Sequence, residues 1–567
     1  MTKTIKNFYK QSLSFKAADK VSSFIMKIIF SSFIYKILFH DLNSYKFFSQ
    51  SFCRRIIDFF IKLILLPRRF LSAVFKDSFI NNLLDKIFTP YLPQAFLDSS
   101  IAKFISDYFG INFKRSDKKS GLIFAISLLV IAAFFSFFIG PVKSFIIIFV
   151  LYFSLLVLYN TKVGLLVLAF FLPLVKTKFI LALTILSILS FIFKLLFTNE
   201  YNLSVNLIDL FIILFASLIF FSIFISYIPM DSAKMASVYL LFIGLYFTAK
   251  NVLTQRNDLF AVVSTMIFSS AIVAIIGIAQ KYFGLAIETQ MWIDQEMFAN
   301  NTMRVYSTLD NPNVLGEYLV LMIPIIFGSI YYLKNKLAKV VSFFILGLTC
   351  VCMLLTLSRG AWLGLIAAML IFIAFRDKKF LLVGFIFILF LPMLIPQSFI
   401  ERFMSIGNMA DSSTSYRVGI WIGSLRMIKD FWPIGIGMGT NVFIYIFQKY
   451  ALSASYALHS HNFYLQLIID LGITGFIIMM TIIAFFYKNL FVNNRFLTDN
   501  FLKTFKISLC AGFTGYMIQG LTDNIWYNYR IALMFWLMIA ISTACLNLSK
   551  LRVWEKFKFF QHTTKFN

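Results

Sequence analysis

Between Gly121 and Ser549 the chain is a near-continuous series of apolar runs, and no other feature limits its fold so tightly. A hydrocarbon core about 30 Å thick takes about 20 apolar residues as a helix. Each crossing must be helical, because lipid offers no partner to a free backbone N–H or C=O. Runs fall at 121–140, 143–159, 161–175, 179–197, 207–227, 233–253, 259–283, 314–333, 338–357, 361–376, 380–396, 463–488, 504–524 and 530–548. The third, tenth and eleventh are short. The pattern predicts an all-α, polytopic transmembrane helical bundle of about 12–14 spans. Composition agrees. Hydrophobic residues make up 60% of the chain and charged residues 14%, against about 25% charged in soluble domains. Disordered, collagen-like and disulfide-stapled secreted chains are excluded on the same grounds. The five cysteines contain no CxxC pair, so free thiols are expected, with no metal centre.

Charge supplies the organisation. The net charge is +27, and residues 1–120 carry 20 Lys and Arg against 8 Asp. Their basic residues are mixed with Phe, Ile and Leu, as in FIMKIIFSSFIYKILF (24–39) and RRIIDFFIKLILLPRRF (54–70). Such runs are too interrupted to cross a bilayer. They are expected to form amphipathic helices on an anionic membrane surface rather than to bind nucleic acid; a small cytosolic helical domain with a basic exterior is the alternative. The domains expected are this extension (1–120), a transmembrane domain (121–549) and a basic tail (550–567). Lys and Arg concentrate at 114–119, 334–339, 376–379, 488–503 and 550–558. The positive-inside bias then puts both termini in the cytoplasm. The loops 284–313 and 397–462 fall on the outer face, where function is expected to sit.

The outer face gathers a small set of reactive residues. His459 and His461 share one loop end, and His461 precedes the span at 463–488. A helix N-terminus favours a neutral imidazole, the form a general base needs. A lone histidine there also suits a cap or an interfacial side chain. Arg359 in SRG, Arg417 with Trp421 one turn on, Arg304 and Arg530 are all assigned to the same side. Arginine suits phosphate oxygens, although each one alone is equally an interfacial anchor or a loop ion pair. Asp411 and Glu401 lie in the large loop without a feature that fixes them to the site. The GIGMG run at 435–439 follows no strand, so its glycines are read as serving a sharp turn or close packing rather than a nucleotide.

Several pieces together resemble the O-antigen ligase and Wzy-type polymerase superfamily of membrane glycosyltransferases. They are GIAQKYFG (277–284), LDNPNVLGEYL (309–319), SRGAWLG (358–364), Arg417 with Trp421, DFWPIGIGMG (430–439) and TDN (522–524). The most specific is His-Asn, nine residues, Gly-x-x-Gly, filled by His461, Asn462, Gly472 and Gly475. The resemblance runs from about residue 230 to 545 and leaves residues 1–120 unassigned.

The resemblance implies a GT-C-like membrane enzyme of polysaccharide biosynthesis in the bacterial inner membrane. It would take a glycan from an undecaprenyl-pyrophosphate carrier and pass it to an acceptor hydroxyl on glycan, lipid or protein. It implies His461 as catalytic base and Arg359 and Arg417 as pyrophosphate ligands; Arg304, Arg530, His459 and Asn462, on the same outer face, are possible auxiliaries. Neither a cofactor nor a metal is expected, and attack opposite the leaving group predicts inversion. Bicarbonate-uptake members of the same superfamily keep a transport alternative open.

Overall fold

The computed structural model describes residues 50–82, 140–284, 304–376, 411–452, 457–491 and 497–563, with isolated positions at 99–100, 103, 400–401, 404 and 407. The run at 24–39 and the expected spans at 121–140 and 380–396 lie outside them.

Two amphipathic helices come first, α1 (Phe52–Leu65) and α2 (Arg68–Lys76), and neither has a buried residue. The bundle follows with α3 (Pro141–Tyr159), α4 (Thr161–Phe171), α5 (Thr177–Phe193, continued by a π turn to Thr198), α6 (Leu207–Ile225), α7 (Pro229–Val252) and α8 (Arg256–Phe283). Then come α9 (Pro312–Tyr332), α10 (Lys336–Leu355), α11 (Arg359–Arg376), α12 (Ser412–Phe431) and the short α13 (Thr440–Phe447). The last three are α14 (Phe463–Phe491), α15 (Asn500–Gln519) and α16 (Tyr529–Thr563).

The fold is an all-α polytopic bundle with no strand among the described residues. Nine described helices are long and apolar enough to cross a membrane: α5 to α11, α14 and the Tyr529–Ser549 part of α16. α4 is shorter than its apolar run. Its helix ends at Phe171, two residues before Pro173, whose ring cannot continue an N–H ladder. α15 stops at Gln519 rather than at 524, which leaves Gly520, Thr522, Asp523 and Asn524 in a turn. Helices α16, α9 and α8 form the centre, with 94%, 83% and 78% of their spans buried. α6, α10 and α11 keep outward apolar faces for lipid.

The connections alternate between two ends of the bundle. At one end, Arg54 of α1 donates to the Val205 carbonyl at 2.9 Å, and Arg68 of α2 donates to the Tyr201 carbonyl at 3.0 Å. Phe75 packs edge-on against Phe193. The same end holds a buried pair in which Lys250 Nζ lies 2.5 Å from Asp209, and Tyr246 donates to that carboxylate at 2.6 Å. The other end gathers the segments around 173–176, 226–229, 304–311, 355–359, 411–452, 457–462 and 520–528. Between the two ends, fully buried Phe215, Phe242, Phe535 and Trp536 fill the bundle.

α14 is broken where the sequence has Gly472, at φ 68° and ψ −176°. The segment after α12 enters the break. Ile436 and Gly437 donate to the carbonyls of Ile469 and Asp470 at 2.8 and 3.1 Å, and Ile473 donates to the Trp432 carbonyl at 2.7 Å. The helical bonds lost at the kink are thus replaced by protein, as non-helical backbone at membrane depth requires. A Cβ at Gly472 would sit 2.5 Å from the Pro433 carbonyl oxygen, and one at Gly435 would sit 2.6 Å from the Asp470 carbonyl. Gly472→Ala is therefore expected to cost about 2 kcal/mol or more. A clear drop in melting temperature checks it. Gly347→Ala, where a Cβ meets nothing, is the control expected to leave that temperature unchanged or slightly raised.

Candidate active site

The start of α14 is tied to the turn that follows α15. Asn462 caps α14 by accepting from the N–H groups of Tyr464 and Leu465 at 2.9 and 3.1 Å. Its amide also donates to the Leu521 carbonyl at 2.9 Å. The Phe463 N–H donates to the carbonyls of Gly520 and Asp523 at 2.8 and 3.1 Å. His461 stands just before this cap in a left-handed backbone conformation, φ 47°, a strained state for a non-glycine residue. The sequence reading set its imidazole against the free N–H groups of the helix end. Those groups are occupied, and what faces the ring is Asp523, with Oδ1 3.3 Å from His461 Nδ1. Trp421 of α12 donates to the His461 carbonyl at 3.2 Å, and Tyr416 packs edge-on against the ring.

His459 lies beneath His461, ring centroids 4.1 Å apart, with Tyr527 on its other side at 4.4 Å. Its Nδ1 accepts the His461 N–H at 3.1 Å, so a neutral ring carries its proton on Nε2. Burial, with the charges of His461 and Arg417, pushes its pKa down to about 3. Burial pushes the Asp523 carboxyl up, but the His461 hydrogen bond and the charges of His461 and Arg417 outweigh it and hold it well below the usual carboxylate range. Both shifts have one sign in stability. The unfolded chain binds a proton on His459 below its ordinary 6.5, and the folded chain resists it, so stability falls as the pH drops from there toward 3. Full protonation would cost on the order of 5 kcal/mol. Asp523 adds a loss at still lower pH. A melting-temperature series should therefore decline below about pH 6.5, and His459→Asn, which keeps an acceptor in place of Nδ1, should flatten it.

A second cluster adjoins the first. Arg359 opens α11 after a left-handed Leu357, φ 51°, and its guanidinium pairs with the fully buried Asp411. Asp411 also caps α12 by accepting from the Ser413 N–H at 2.9 Å. Helix α12 then carries Arg417 into a partly open cavity whose lining includes Arg304, Arg359, Arg417, Gln519, Thr522 and Asp523. Arg304 is buried and donates to the Thr356 carbonyl and Asn313, each at 2.8 Å. The Arg417 guanidinium makes no hydrogen bond or ion pair with a described residue. Three guanidiniums thus face two carboxylates.

Two expected auxiliaries are engaged in contacts that hold the loops of this end together. Arg530 is 2% exposed and bolts loops together, donating to the carbonyls of Val175 and Thr308 at 3.1 and 2.7 Å and to Asp310 at 2.8 Å. Asn462 acts as a cap and tie. Glu401 is exposed. Asp523 is the partner that sequence reasoning left without a role, and the TDN at 522–524 was its signal.

The set His459, His461 and Asp523 offers three ligand atoms within 4.8 Å of one another. A cation is geometrically admissible there, and the positive charge of Arg417 opposes it.

The family comparison bears on the same residues. Residues 344–480 match the family model for O-antigen ligase. That stretch of the chain is an O-antigen ligase domain. Comparison with curated proteins finds no match. The O-antigen ligase domain contains Arg359, Arg417, His459 and His461. Asp523 and Arg304 reach the site from outside it. The apolar helices make the chain a multi-pass membrane protein, and its O-antigen ligase domain is of the glycosyltransferase type, which acts on lipid-linked glycans.

Proposed function

We propose that the chain transfers a glycan from an undecaprenyl-pyrophosphate carrier to an acceptor hydroxyl on the outer face of a bacterial inner membrane. The carrying observation is the Arg417 guanidinium, with no hydrogen bond or ion pair to a described residue, in a cavity shared with Arg304, Arg359 and Asp523. A diphosphate is the ligand such a surplus of planar, permanently charged forks suits best.

The chemistry follows from that placement. Asp523 accepts from His461 Nδ1–H and fixes the tautomer, which leaves Nε2 as the base. The acceptor oxygen attacks the anomeric carbon, its proton passes to His461 Nε2, and the bond from that carbon to the pyrophosphate oxygen breaks. The carrier pyrophosphate leaves with the electron pair. Arg359 and Arg417 meet the charge as it develops, which lowers the barrier because they are already oriented. Attack from the face opposite the leaving group inverts the anomeric centre. In this reading both termini, the basic loops and the helices α1 and α2 lie on the cytoplasmic side. The apolar filling at Phe215, Phe242, Phe535 and Trp536 favours transfer over a solute path.

Cells lacking the chain should accumulate an undecaprenyl-pyrophosphate-linked glycan. The wild-type chain should clear it and Arg417→Ala should not; absence of any accumulated carrier-linked glycan would defeat the reading. With guanidiniums doing the work of a metal, transfer in purified membranes is expected to survive EDTA. Strict dependence on an added divalent cation would assign His459, His461 and Asp523 to a metal instead.

A further inference from the structure

We infer that a second cavity, beside His459, is the binding site for a sugar ring of the acceptor. The inference rests on the transfer reading for the word acceptor, while the cavity itself stands on separate observations. It is a partly open cleft, and its walls include Tyr239, His459, Gln466, Asp470, Trp526 and Tyr527. The arginine cavity contains no aromatic side chain in its lining, whereas this one presents several aromatic rings. The two meet at the turn after α15, where Asp523 lines the first and Asn524 the second.

The polar groups of this cavity are arranged by the backbone. Gln466 accepts the Ser460 N–H at 2.8 Å through its carbonyl, so its amide must donate, and it does so to Asp470 Oδ1 at 2.9 Å. Asp470 exposes only 7% of its surface. Its second oxygen takes no hydrogen bond from a described residue. The indole N–H of Trp526, 4% exposed, is also without a partner among the described residues. A buried N–H that goes unmet is costly unless a ligand serves it. A sugar hydroxyl can accept from it and donate to the free Asp470 oxygen, and Nε2–H of His459 adds a donor. The aromatic rings offer the flat apolar faces on which a pyranose can rest. The kink at Gly472 also belongs to this site. It lies two residues past Asp470, and the backbone of Ile436 and Gly437 holds Asp470 from behind.

The test uses the full chain in lipid nanodiscs and a panel of simple methyl glycosides as probes, read by saturation-transfer difference NMR. Undecaprenyl pyrophosphate binding is read in the same preparations. At least one methyl glycoside should bind the wild-type chain. Leu458→Trp, at the half-exposed wall, should fill the cavity and remove that signal while pyrophosphate binding persists. Asp470→Asn should weaken glycoside binding about tenfold or more. No glycoside binding to the wild-type chain, or binding unchanged by both substitutions, would overturn the inference. Glycoside binding that behaves as expected, with no binding of undecaprenyl pyrophosphate, would instead remove the transfer reading and leave a sugar site.

Discussion

His461→Ala is expected to lower glycan transfer by about a thousandfold or more, with the chain still inserted and still holding its carrier substrate. The imidazole is the one group at the junction of the two clusters that can take the acceptor proton, and its position is fixed from three sides. Asn462 caps the helix behind it, Trp421 holds its carbonyl, and Asp523 faces its Nδ1. The companion change is Asp523→Asn. An amide can donate to Nδ1 and so place the proton on Nε2, where the base is needed. A loss comparable to that of His461→Ala is then expected although only one atom has changed. Transfer assayed with isolated carrier-linked glycan checks both. Activity within a few-fold of wild type in His461→Ala would remove the base assignment.

The second large effect is at Arg417. Its guanidinium is the cation in the arginine cavity with no hydrogen bond or ion pair to a described residue, whereas Arg359 is spent in part on Asp411 and Arg304 on Thr356 and Asn313. Removing it should cost about a hundredfold to a thousandfold in the transfer step. Arg417→Lys should recover little, because an ammonium cannot span two phosphate oxygens as the planar fork does. Arg530→Ala should behave differently. Its bonds run to Val175, Thr308 and Asp310, so the loss should appear as a lower melting temperature rather than as a selective loss of transfer in surviving protein. Rates compared with melting curves separate the two arginines.

Much of the fold was legible because lipid leaves the backbone few choices. The runs at 207–227 and 463–488 appear as helices Leu207–Ile225 and Phe463–Phe491. What failed was the end of α15. Its apolar run continues toward residue 524, but the N–H groups of Thr522 and Asp523 both turn back onto the Gln519 carbonyl, and the carbonyls of Gly520 and Asp523 accept from Phe463 of α14. That boundary is where Asp523 meets His461, so the error in the span hid the residue. The arginines were legible by type and side of the membrane but not by duty. Arg530 and Arg417 carry the same fork. Only the tertiary approach of the Val175 and Thr308 carbonyls makes the first a bolt, and no local pattern encodes that approach. The two glycine signals, 435–439 and 472, are one feature in three dimensions, a helix break and the segment that fills it.

One measurement tests the account most directly: a structure of the chain with undecaprenyl pyrophosphate bound in a lipid nanodisc. The account predicts both phosphates in the cavity between α11 and α12, within hydrogen-bond reach of Arg359 and Arg417. The oxygen that carries the sugar in the donor should point toward His461 Nε2. Phosphates bound at any other place on the chain, with Arg417 still empty-handed, would contradict it.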